Sequence, residues 1–385
     1  MHNRRQFMTT SARLLGGALV LGPALIACGS DEKSESTTAP TTAGTATTAG
    51  PATTVAGGSA PSTGASGATG ATAPSAGGGS VPSLGTVRTQ FNWVPDVEWA
   101  AWYLADTNCA FAANGAGVSL IHGGPNTPAV AQVLAAGAAD LGVASDELQL
   151  IKANQEGSDY VLLGAMYPKS PFGYCWLADT PITTAKDLVG KKIGGVQGDQ
   201  LRIDAVFKVN GLAVDYEFVP MSYDPQPLID KDVDVITAYV TNQPVQLQLK
   251  NVATKSAPFS DFGLKSYGDL LFASKKYVDA NRDLLVGYLK GLLAGVKANT
   301  ADPAAVLPLL TDTYGKDADI DLAYSAPGNK AYVALYATDP TKLLAIDPAY
   351  LEAEVWKGYT AAGETNLPKV ADFVDVTLLA DALKG

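Results

Sequence analysis

From about residue 86 onward, the chain alternates short apolar runs with amphipathic stretches, which predicts strands and helices in turn. Runs of four to seven apolar or alternating residues are typical of strands, and apolar residues every three or four positions are typical of helices. Strands are predicted at 87–93, 118–122, 139–143, 161–166, 192–196, 216–220 and 234–239, and helices at 98–105, 127–136 and 201–210. The last 110 residues are mostly helical, with breaks predicted at Asp302-Pro303, Ala326-Pro327 and Asp339-Pro340. This alternation predicts an α/β fold in which helices cover parallel sheets.

The N-terminus has the pattern of an export signal. Arg4 and Arg5 form a twin-arginine region, an apolar stretch runs from 14 to 26, and small residues precede Cys28. The pattern resembles a bacterial lipoprotein signal over 1–27, in which Cys28 becomes the lipidated first residue. An ordinary signal peptide or an N-terminal anchor helix is the alternative. We therefore expect an exported protein that is lipid-anchored to the outer face of the cytoplasmic membrane.

Residues 28–85 are dominated by Thr, Ala, Gly, Ser and Pro and contain no aromatic residue. Such a composition cannot bury enough apolar surface to offset the entropy of ordering. We expect a flexible tether between the lipid and the folded part.

Charge and residue usage exclude several classes of function. The chain carries a net charge of −11, and its folded part has no basic cluster, so nucleic acid and anionic membrane surfaces are poor partners. Apart from His2 in the signal, His122 is the only histidine, which leaves little for a histidine metal site or a Ser-His-Asp triad. The sequence leaves open whether Cys109 and Cys175 form a disulfide.

A set of short segments, in order and at plausible spacing, resembles one family of binding proteins. The segments lie at 91–98, 102–105, 135–143, 170–171, 186–194, 224–228, 240–244 and 267–271. They are similar to landmarks of the substrate-binding proteins of ABC importers that resemble hydroxymethylpyrimidine synthases of thiamine biosynthesis. The resemblance covers roughly residues 87–300 and rests on the ordered set, because no single segment is specific.

The resemblance implies a type II periplasmic-binding fold, in which two α/β lobes close on a ligand. Lobe I would comprise 86–180 and 268–385, and lobe II would comprise 181–267. The crossing segments would lie near 176–180 and 266–269. It also implies a monomer that delivers a small molecule to the permease subunits of an ABC importer. Ligands of such sheets bind where the strands end, here near 122–126 and 240–244.

Three aromatic residues are candidates for ligand contact. Trp93 follows the first strand and could stack on a planar ligand, with a core position as the alternative. Tyr103 lies on the following helix and could face either way. Tyr167 follows the strand at 161–166 and could supply a second stacking face. Trp99 and Trp102 are expected to pack in the core.

Five polar or backbone positions complete the predicted site. Gly124 could offer a backbone N–H to a ligand oxygen, although Gly-Gly-Pro is also an ordinary turn. Asp146 could accept hydrogen bonds from the ligand or simply cap a helix. Gln200 belongs to the segment Gly198-Asp199-Gln200, which could likewise offer backbone N–H groups to a ligand oxygen or could simply cap the next helix. Asn242 and Gln243 follow the last strand of the second series and are the strongest polar candidates.

The type of residue at 243 bears on the ligand. The family pattern often carries Glu there, which accepts only and suits an aminopyrimidine. Gln243 both donates and accepts, which suits the imide edge of uracil or of a flavin. This favours an oxidised pyrimidine or a riboflavin-like ligand over a thiamine precursor.

The resemblance also allows an enzyme to be considered. The related synthases use a lysine that binds pyridoxal phosphate and a histidine that is consumed, but the corresponding places hold Ala144 and Leu148. We therefore expect that the protein is not an enzyme and that it binds no cofactor. The prediction is a binding protein for a planar heteroaromatic solute; the alternatives are a sensing module without transport, and a receptor for a non-aromatic solute such as a sulfonate.

Overall fold

The computed structural model describes residues 81–384 apart from 125, 126, 319 and 338. The predicted signal at 1–27, the predicted lipidation residue Cys28 and nearly all of the predicted tether lie outside this part of the chain. Within it, no helix is both long and apolar enough to cross a membrane.

Two five-stranded sheets form the framework of the described residues. The strands are β1 (Gly85–Gln90), β2 (Ala116–Ile121), β3 (Leu141–Ala144), β4 (Tyr160–Tyr167), β5 (Phe172–Leu177), β6 (Lys192–Gly195), β7 (Glu217–Pro220), β8 (Val235–Tyr239), β9 (Thr254–Pro258) and β10 (Gly268–Ser274). The strand order is β2-β1-β3-β10-β4 in the first sheet and β7-β6-β8-β5-β9 in the second. The sheets are therefore the centres of two α/β lobes, as the resemblance implied.

Helices follow most strands and make up nearly all of the C-terminal part. They are α1 (Ala100–Thr107), α2 (Val130–Ala135), α3 (Glu147–Gln155), α4 (Gln200–Val209), α5 (Gln226–Ile229), α6 (Gln243–Leu249), α7 (Lys275–Ala280), α8 (Arg282–Ala301), α9 (Leu307–Leu309), α10 (Leu322–Val333), α11 (Pro348–Tyr350), α12 (Lys357–Ala361), α13 (Val370–Phe373) and α14 (Val376–Leu383). Short 3-10 helices lie at Val97–Trp99, Ala112–Asn114, Ala185–Leu188, Phe259–Phe262 and Pro340–Lys342, and π-helical turns at Leu310–Tyr314 and Leu351–Trp356.

The three predicted breaks have different outcomes. Helix α8 ends at Ala301, just before Asp302-Pro303, and Asp339 caps the turn that begins at Pro340. The break at Pro327 was wrong, because Pro327 lies inside α10. Proline removes one backbone hydrogen bond and costs a helix interior about 3 kcal/mol. The α10 side chains Tyr324 and Tyr332 are buried, and this packing holds the helix together across the proline.

The sheets are mixed, and the three strands that periodicity missed pair with their neighbours in antiparallel orientation. β1 pairs in parallel with β2 and β3, and β6 pairs in parallel with β7 and β8. β10 is antiparallel to β3 and β4, and β5 is antiparallel to β8 and β9. The sequence predicted the seven strands of the βαβ series, but it did not predict β5, β9 or β10.

The chain crosses between the sheets earlier than predicted. The first crossing was placed near 176–180, but β5 already pairs with β8 and β9 of the second sheet. The crossing is therefore the segment 168–171. The return lies between β9 and β10, next to the predicted 266–269.

Both faces of the first sheet are buried. Val161 and Leu163 of β4 belong to one core, and the alternate residues Tyr160 and Leu162 belong to another. The second core continues into the other sheet through Tyr174 and includes side chains of the C-terminal helices. The C-terminal helices thus contribute to a core shared by both lobes.

Candidate functional site

A cleft of about 540 Å³ lies where the strands of both sheets end. The first sheet contributes Asn92 and Trp93, which follow β1, and Ser145, which follows β3. The second sheet contributes the loop 196–199 after β6 and the pair Asn242-Gln243 after β8. This is the edge of an open α/β sheet at which small molecules bind, and the volume is in the usual range for ligand pockets.

Four of the eight predicted site residues line the cleft, and four do not. Trp93, Gly124, Asn242 and Gln243 are lining residues. The other four are placed elsewhere: Tyr103, Asp146, Tyr167 and Gln200. The structure thus brings together the residues that follow β1, β2 and β8.

Trp93 contacts an aromatic ring that belongs to the other lobe. Its ring lies 3.8 Å from that of Tyr223, centroid to centroid, with the two planes at 80°. Tyr223 lies after β7, in a stretch without a periodic signal. The cleft therefore has a pair of rings that meets across the lobes.

Gly124 adopts a backbone conformation that suits glycine. Its φ is +147°, and a Cβ at this position would come within 3.1 Å of the Val94 side chain. The loop that follows β2 therefore passes close to the loop that follows β1, and residue 124 places no side chain between them. Gln200, by contrast, accepts a hydrogen bond from the Gly198 N–H at 3.0 Å and serves its own turn.

The amide side chains of Asn242 and Gln243 are partly used within the protein. The Gln243 Oε1 accepts the Tyr239 N–H at 3.0 Å, which leaves Nε2 as the group that a ligand can meet. The Asn242 Oδ1 accepts Gln246 Nε2 at 2.6 Å, and its Nδ2 donates to Asp96 Oδ2 at 3.4 Å. Gln243 is thus available to a ligand as a hydrogen-bond donor, whereas the sequence suggested that it could both donate and accept.

Tyr103 and Tyr167 are core residues, which corrects the expectation that they face the ligand. Tyr103 is fully buried, stacks on Tyr314 at 4.2 Å and contacts His122 Nε2 through its hydroxyl at 2.6 Å. Tyr167 is also fully buried, and its ring packs against those of Tyr332 and Tyr336, with centroids 5.9 Å and 5.8 Å away. Their ring faces are occupied by other aromatic side chains of the protein.

Asp146 forms an ion pair with the second lobe. It caps α3, where its Oδ1 accepts the Gln149 N–H at 3.3 Å, and its other oxygen pairs with Arg202 of α4. Arg202 also lies 3.7 Å from Asp199 and over the ring of Phe172. The sequence singled out Asp146, but it gave no sign of Arg202, which lies 56 residues away.

A buried carboxyl pair lies at one end of the cleft. Glu98 lines the cleft and shares a hydrogen bond with Asp269, which is fully buried at the start of β10. The Tyr332 hydroxyl donates to Glu98 at 3.4 Å, and the Tyr239 hydroxyl donates to Asp269 at 3.3 Å. Burial raises the pKa of Asp269 to about 7, and burial together with the Asp269 charge raises that of Glu98. The pair therefore keeps a proton to a higher pH than two exposed carboxyl groups would.

His122 and Cys175 lie outside the lining of the cleft. Burial lowers the pKa of His122 to about 4, so this imidazole is neutral, and its Nε2 contacts the hydroxyl of the buried Tyr103. Cys175 is a free buried thiol, which excludes its pairing with Cys109. Across the described ranges, no group of three or more His, Cys, Asp and Glu side chains is placed to hold a metal ion.

Comparison with known proteins places the chain in a family. The model of the family described as NMT1/THI5 like matches residues 96–306, more than half of the chain. The chain belongs to this family. The match contains the cleft loops that follow β2, β3, β6 and β8, whereas Asn92 and Trp93 precede it. It agrees with the family that the sequence segments indicated.

Individual relatives are more distant. The chain is 25% identical over 231 residues to the riboflavin-binding protein RibY of Chloroflexus aurantiacus, a match that covers 58% of this chain and 64% of RibY. The chain thus spans a little under two thirds of this curated relative. The alkanesulfonate-binding protein SsuA of Xanthomonas axonopodis pv. citri, solved with MOPS, is 17% identical with a TM-score of 0.57, over 76% of this chain and 98% of that one. The desulfurization enzyme DSZB is 16% identical with a TM-score of 0.50, over 77% and 99%. These two structures share the periplasmic-binding-protein fold with this chain.

Proposed function

We propose that this chain is an extracytoplasmic solute-binding protein of an ABC importer, which captures a small planar heteroaromatic molecule by closing its two lobes. The observation that carries the proposal is the cleft, which is lined from both sheets by rings and by amide groups. Such a cleft buries a ligand from both sides and excludes water when the lobes close. Membership of the family supports the same role.

The lining favours a flat ligand that has a carbonyl group. Trp93 and Tyr223 offer ring surfaces from opposite lobes, and Gln243 Nε2 is free to donate to a carbonyl oxygen. Uracil-like and flavin-like rings have this combination, and the name of the relative RibY points to the same chemistry. The ligand class is therefore pyrimidine-like or flavin-like.

The proposal includes no enzymatic step. Ala144 is a buried residue of β3, and Leu148 is a buried residue of α3, so neither position can hold pyridoxal phosphate or supply an imidazole. The enzyme DSZB has the same fold. The proposal that this chain has no enzymatic step therefore rests on its residues and not on its fold. We further propose that Cys28 is lipidated, that the protein acts as a monomer and that it delivers its ligand to permease subunits.

The test is a thermal-shift screen of the purified protein with riboflavin, uracil, hydroxymethylpyrimidine, formylaminopyrimidine, thiamine and taurine. A ligand at about 100 times its Kd should stabilise the fold by about 2.7 kcal/mol. For the ligand that binds, Trp93→Ala should weaken affinity about tenfold or more, because a stacked ring contributes about 1 to 3 kcal/mol.

Val94→Ala is the matched control, because Val94 is the exposed neighbour of Trp93 and does not line the cleft. Stabilisation by taurine alone would refute the aromatic ligand class. Stabilisation that Trp93→Ala leaves unchanged would refute the stacking role of the cleft.

A further inference from the structure

The acidic pair at the end of the cleft has no cationic partner in the part of the chain that the structure describes. No lysine or arginine of the described residues forms an ion pair with Glu98 or Asp269 or lowers the pKa of either. Glu98 is 4% exposed and Asp269 is 0% exposed, so water replaces a partner poorly. The second carboxyl oxygen of Asp269 is buried, and no side chain or backbone group of the described residues donates a hydrogen bond to it.

The basic side chains that line the cleft are already neutralised. Within the described lining these are Lys152 and Arg202. Lys152 pairs with Glu364, and Arg202 pairs with Asp146 and lies near Asp199. An anionic group would therefore enter a cleft that has no available cation and would face a buried acid. The electrostatics disfavour sulfonates and carboxylates.

Aromatic rings adjoin the carboxyl pair. Tyr239 and Tyr332 line the cleft, and their hydroxyl groups contact Asp269 and Glu98, respectively. Trp93 also lines the cleft. Ring faces attract cations, and the attraction is larger where water is excluded. The aromatic rings and the buried acid of this cleft therefore both favour a positively charged ligand group.

We propose that the ligand of this cleft carries a positively charged nitrogen that lies against Glu98. The proposal rests on the function proposed above and specifies its substrate class: an amine-bearing or cationic heteroaromatic molecule whose carbonyl group meets Gln243. The charged nitrogen takes the place of the proton that Glu98 and Asp269 share, because both carboxyl groups can ionise once a cation neutralises them.

The test uses one ring system in three charge states. Tryptamine, tryptophol and indole-3-acetate have the same indole ring with a cationic, a neutral and an anionic side chain, respectively. A second pair, choline and its neutral analogue 3,3-dimethylbutan-1-ol, tests the contribution of the charge without an aromatic ring. Binding to the full-length protein is measured by calorimetry. We expect tryptamine to bind at least about tenfold more tightly than tryptophol and indole-3-acetate to bind most weakly, because a charge-assisted hydrogen bond contributes about 1.5 to 3 kcal/mol.

Two variants identify the acid. Glu98→Gln keeps the size of the side chain and should abolish the preference for tryptamine. Glu156→Gln is the matched control, because Glu156 also lines the cleft but is exposed. Asp269→Asn keeps the shape of the pair and should reduce the preference even if Glu98→Gln folds poorly.

Proton release gives a readout that a purely structural role would not change. Calorimetry in buffers of different ionisation enthalpy should show up to about one proton released when tryptamine binds near pH 7, and none with tryptophol. Among the described residues, the ionisable groups that interact with the pair are Asp96 and seven tyrosines, namely Tyr103, Tyr167, Tyr223, Tyr239, Tyr324, Tyr332 and Tyr336. Burial keeps the tyrosines neutral by raising their pKa. Asp96, whose pKa burial raises to about 7, is the other group that titrates here, so Asp96→Asn is measured in parallel.

The outcomes separate this inference from the proposed function. The inference of a positively charged ligand group is wrong if tryptophol or indole-3-acetate binds as tightly as tryptamine, or if Glu98→Gln keeps the preference for tryptamine. In that case the proposed binding of a heteroaromatic molecule still stands. If no member of this set or of the thermal-shift panel binds, both proposals fail.

Discussion

The ion pair between Asp146 and Arg202 should hold the two lobes together. Asp146 caps α3 beside the first sheet, and Arg202 lies on α4 beside the second. Their side chains are only 7% and 10% exposed, so the pair is shielded from water. We expect Asp146→Asn to destabilise the protein and to loosen the contact between the lobes.

The structure sets the size of the effect. Removing one partner of a buried ion pair costs about 3 to 5 kcal/mol, because the other charge stays buried and unpaired. Arg202 keeps a second carboxylate, since Asp199 lies 3.7 Å from it, so we expect about 3 kcal/mol, the lower end. Asparagine caps helices as well as aspartate does, so the bond to Gln149 contributes little to the difference.

The assay is chemical denaturation of a double-mutant cycle that combines Asp146→Asn with Arg202→Met. Methionine keeps an apolar side chain over Phe172. The coupling energy should be about 2 kcal/mol, within the usual range for residues in contact. Small-angle scattering should show a larger radius of gyration for Asp146→Asn if the lobes separate.

An exposed ion pair serves as the control. Lys169 and Asp261 lie 2.8 Å apart, but both side chains are more than half exposed, so Asp261→Asn should cost less than about 1 kcal/mol. The reasoning would be refuted if Asp146→Asn cost no more than this control, or if the coupling energy were zero within about 0.5 kcal/mol.

Three further predictions concern the amide, the carboxyl pair and the C-terminal helix. Gln243→Glu keeps the acceptor for Tyr239 but loses the Nε2 donor, so the carbonyl-bearing ligand found in the screen should bind about tenfold more weakly by calorimetry, whereas the exposed Gln248→Glu should not change affinity. Burial raises the pKa of Asp269 from 3.8 to about 7, so protonation of Asp269 favours the folded state. Its contribution to the free energy of unfolding is complete below about pH 4 and is lost as the pH rises through about 7. It amounts to at most about 4 kcal/mol. Denaturation at pH 5 and pH 8 should therefore show a smaller loss of stability for Asp269→Asn than for the wild type, and equal losses would contradict the assignment. Leu378→Ala should cost about 2 to 5 kcal/mol, because Leu378 is fully buried, and the exposed Leu383→Ala on the same helix should cost far less; similar values would exclude α14 from the core.

Local pattern was sufficient for much of the framework and for part of the cleft. The seven strands of the βαβ series have apolar runs bounded by turn residues, and this signal needs no knowledge of distant residues. Trp93, Gly124, Asn242 and Gln243 follow such strands. Because parallel strands of one sheet end at a common edge, the βαβ alternation along the chain places these residues at the ligand-binding edge of their own sheet.

Tertiary structure determined what depends on residues far apart in the chain. Strand β5 looks like any apolar run, and only its pairing with β8 and β9 assigns it to the second lobe. Tyr103 and Tyr167 follow the same local rules as Trp93, but neighbouring rings bury their faces.

The electrostatics of the cleft depend on tertiary structure in the same way. Asp269 reaches Glu98 from the antiparallel strand β10, and Arg202 reaches Asp146 from the other lobe. A carboxyl group in a sequence carries no mark of burial or of its partner. Desolvation and pairing, which set its pKa and its role, arise only when the chain folds and brings these groups together.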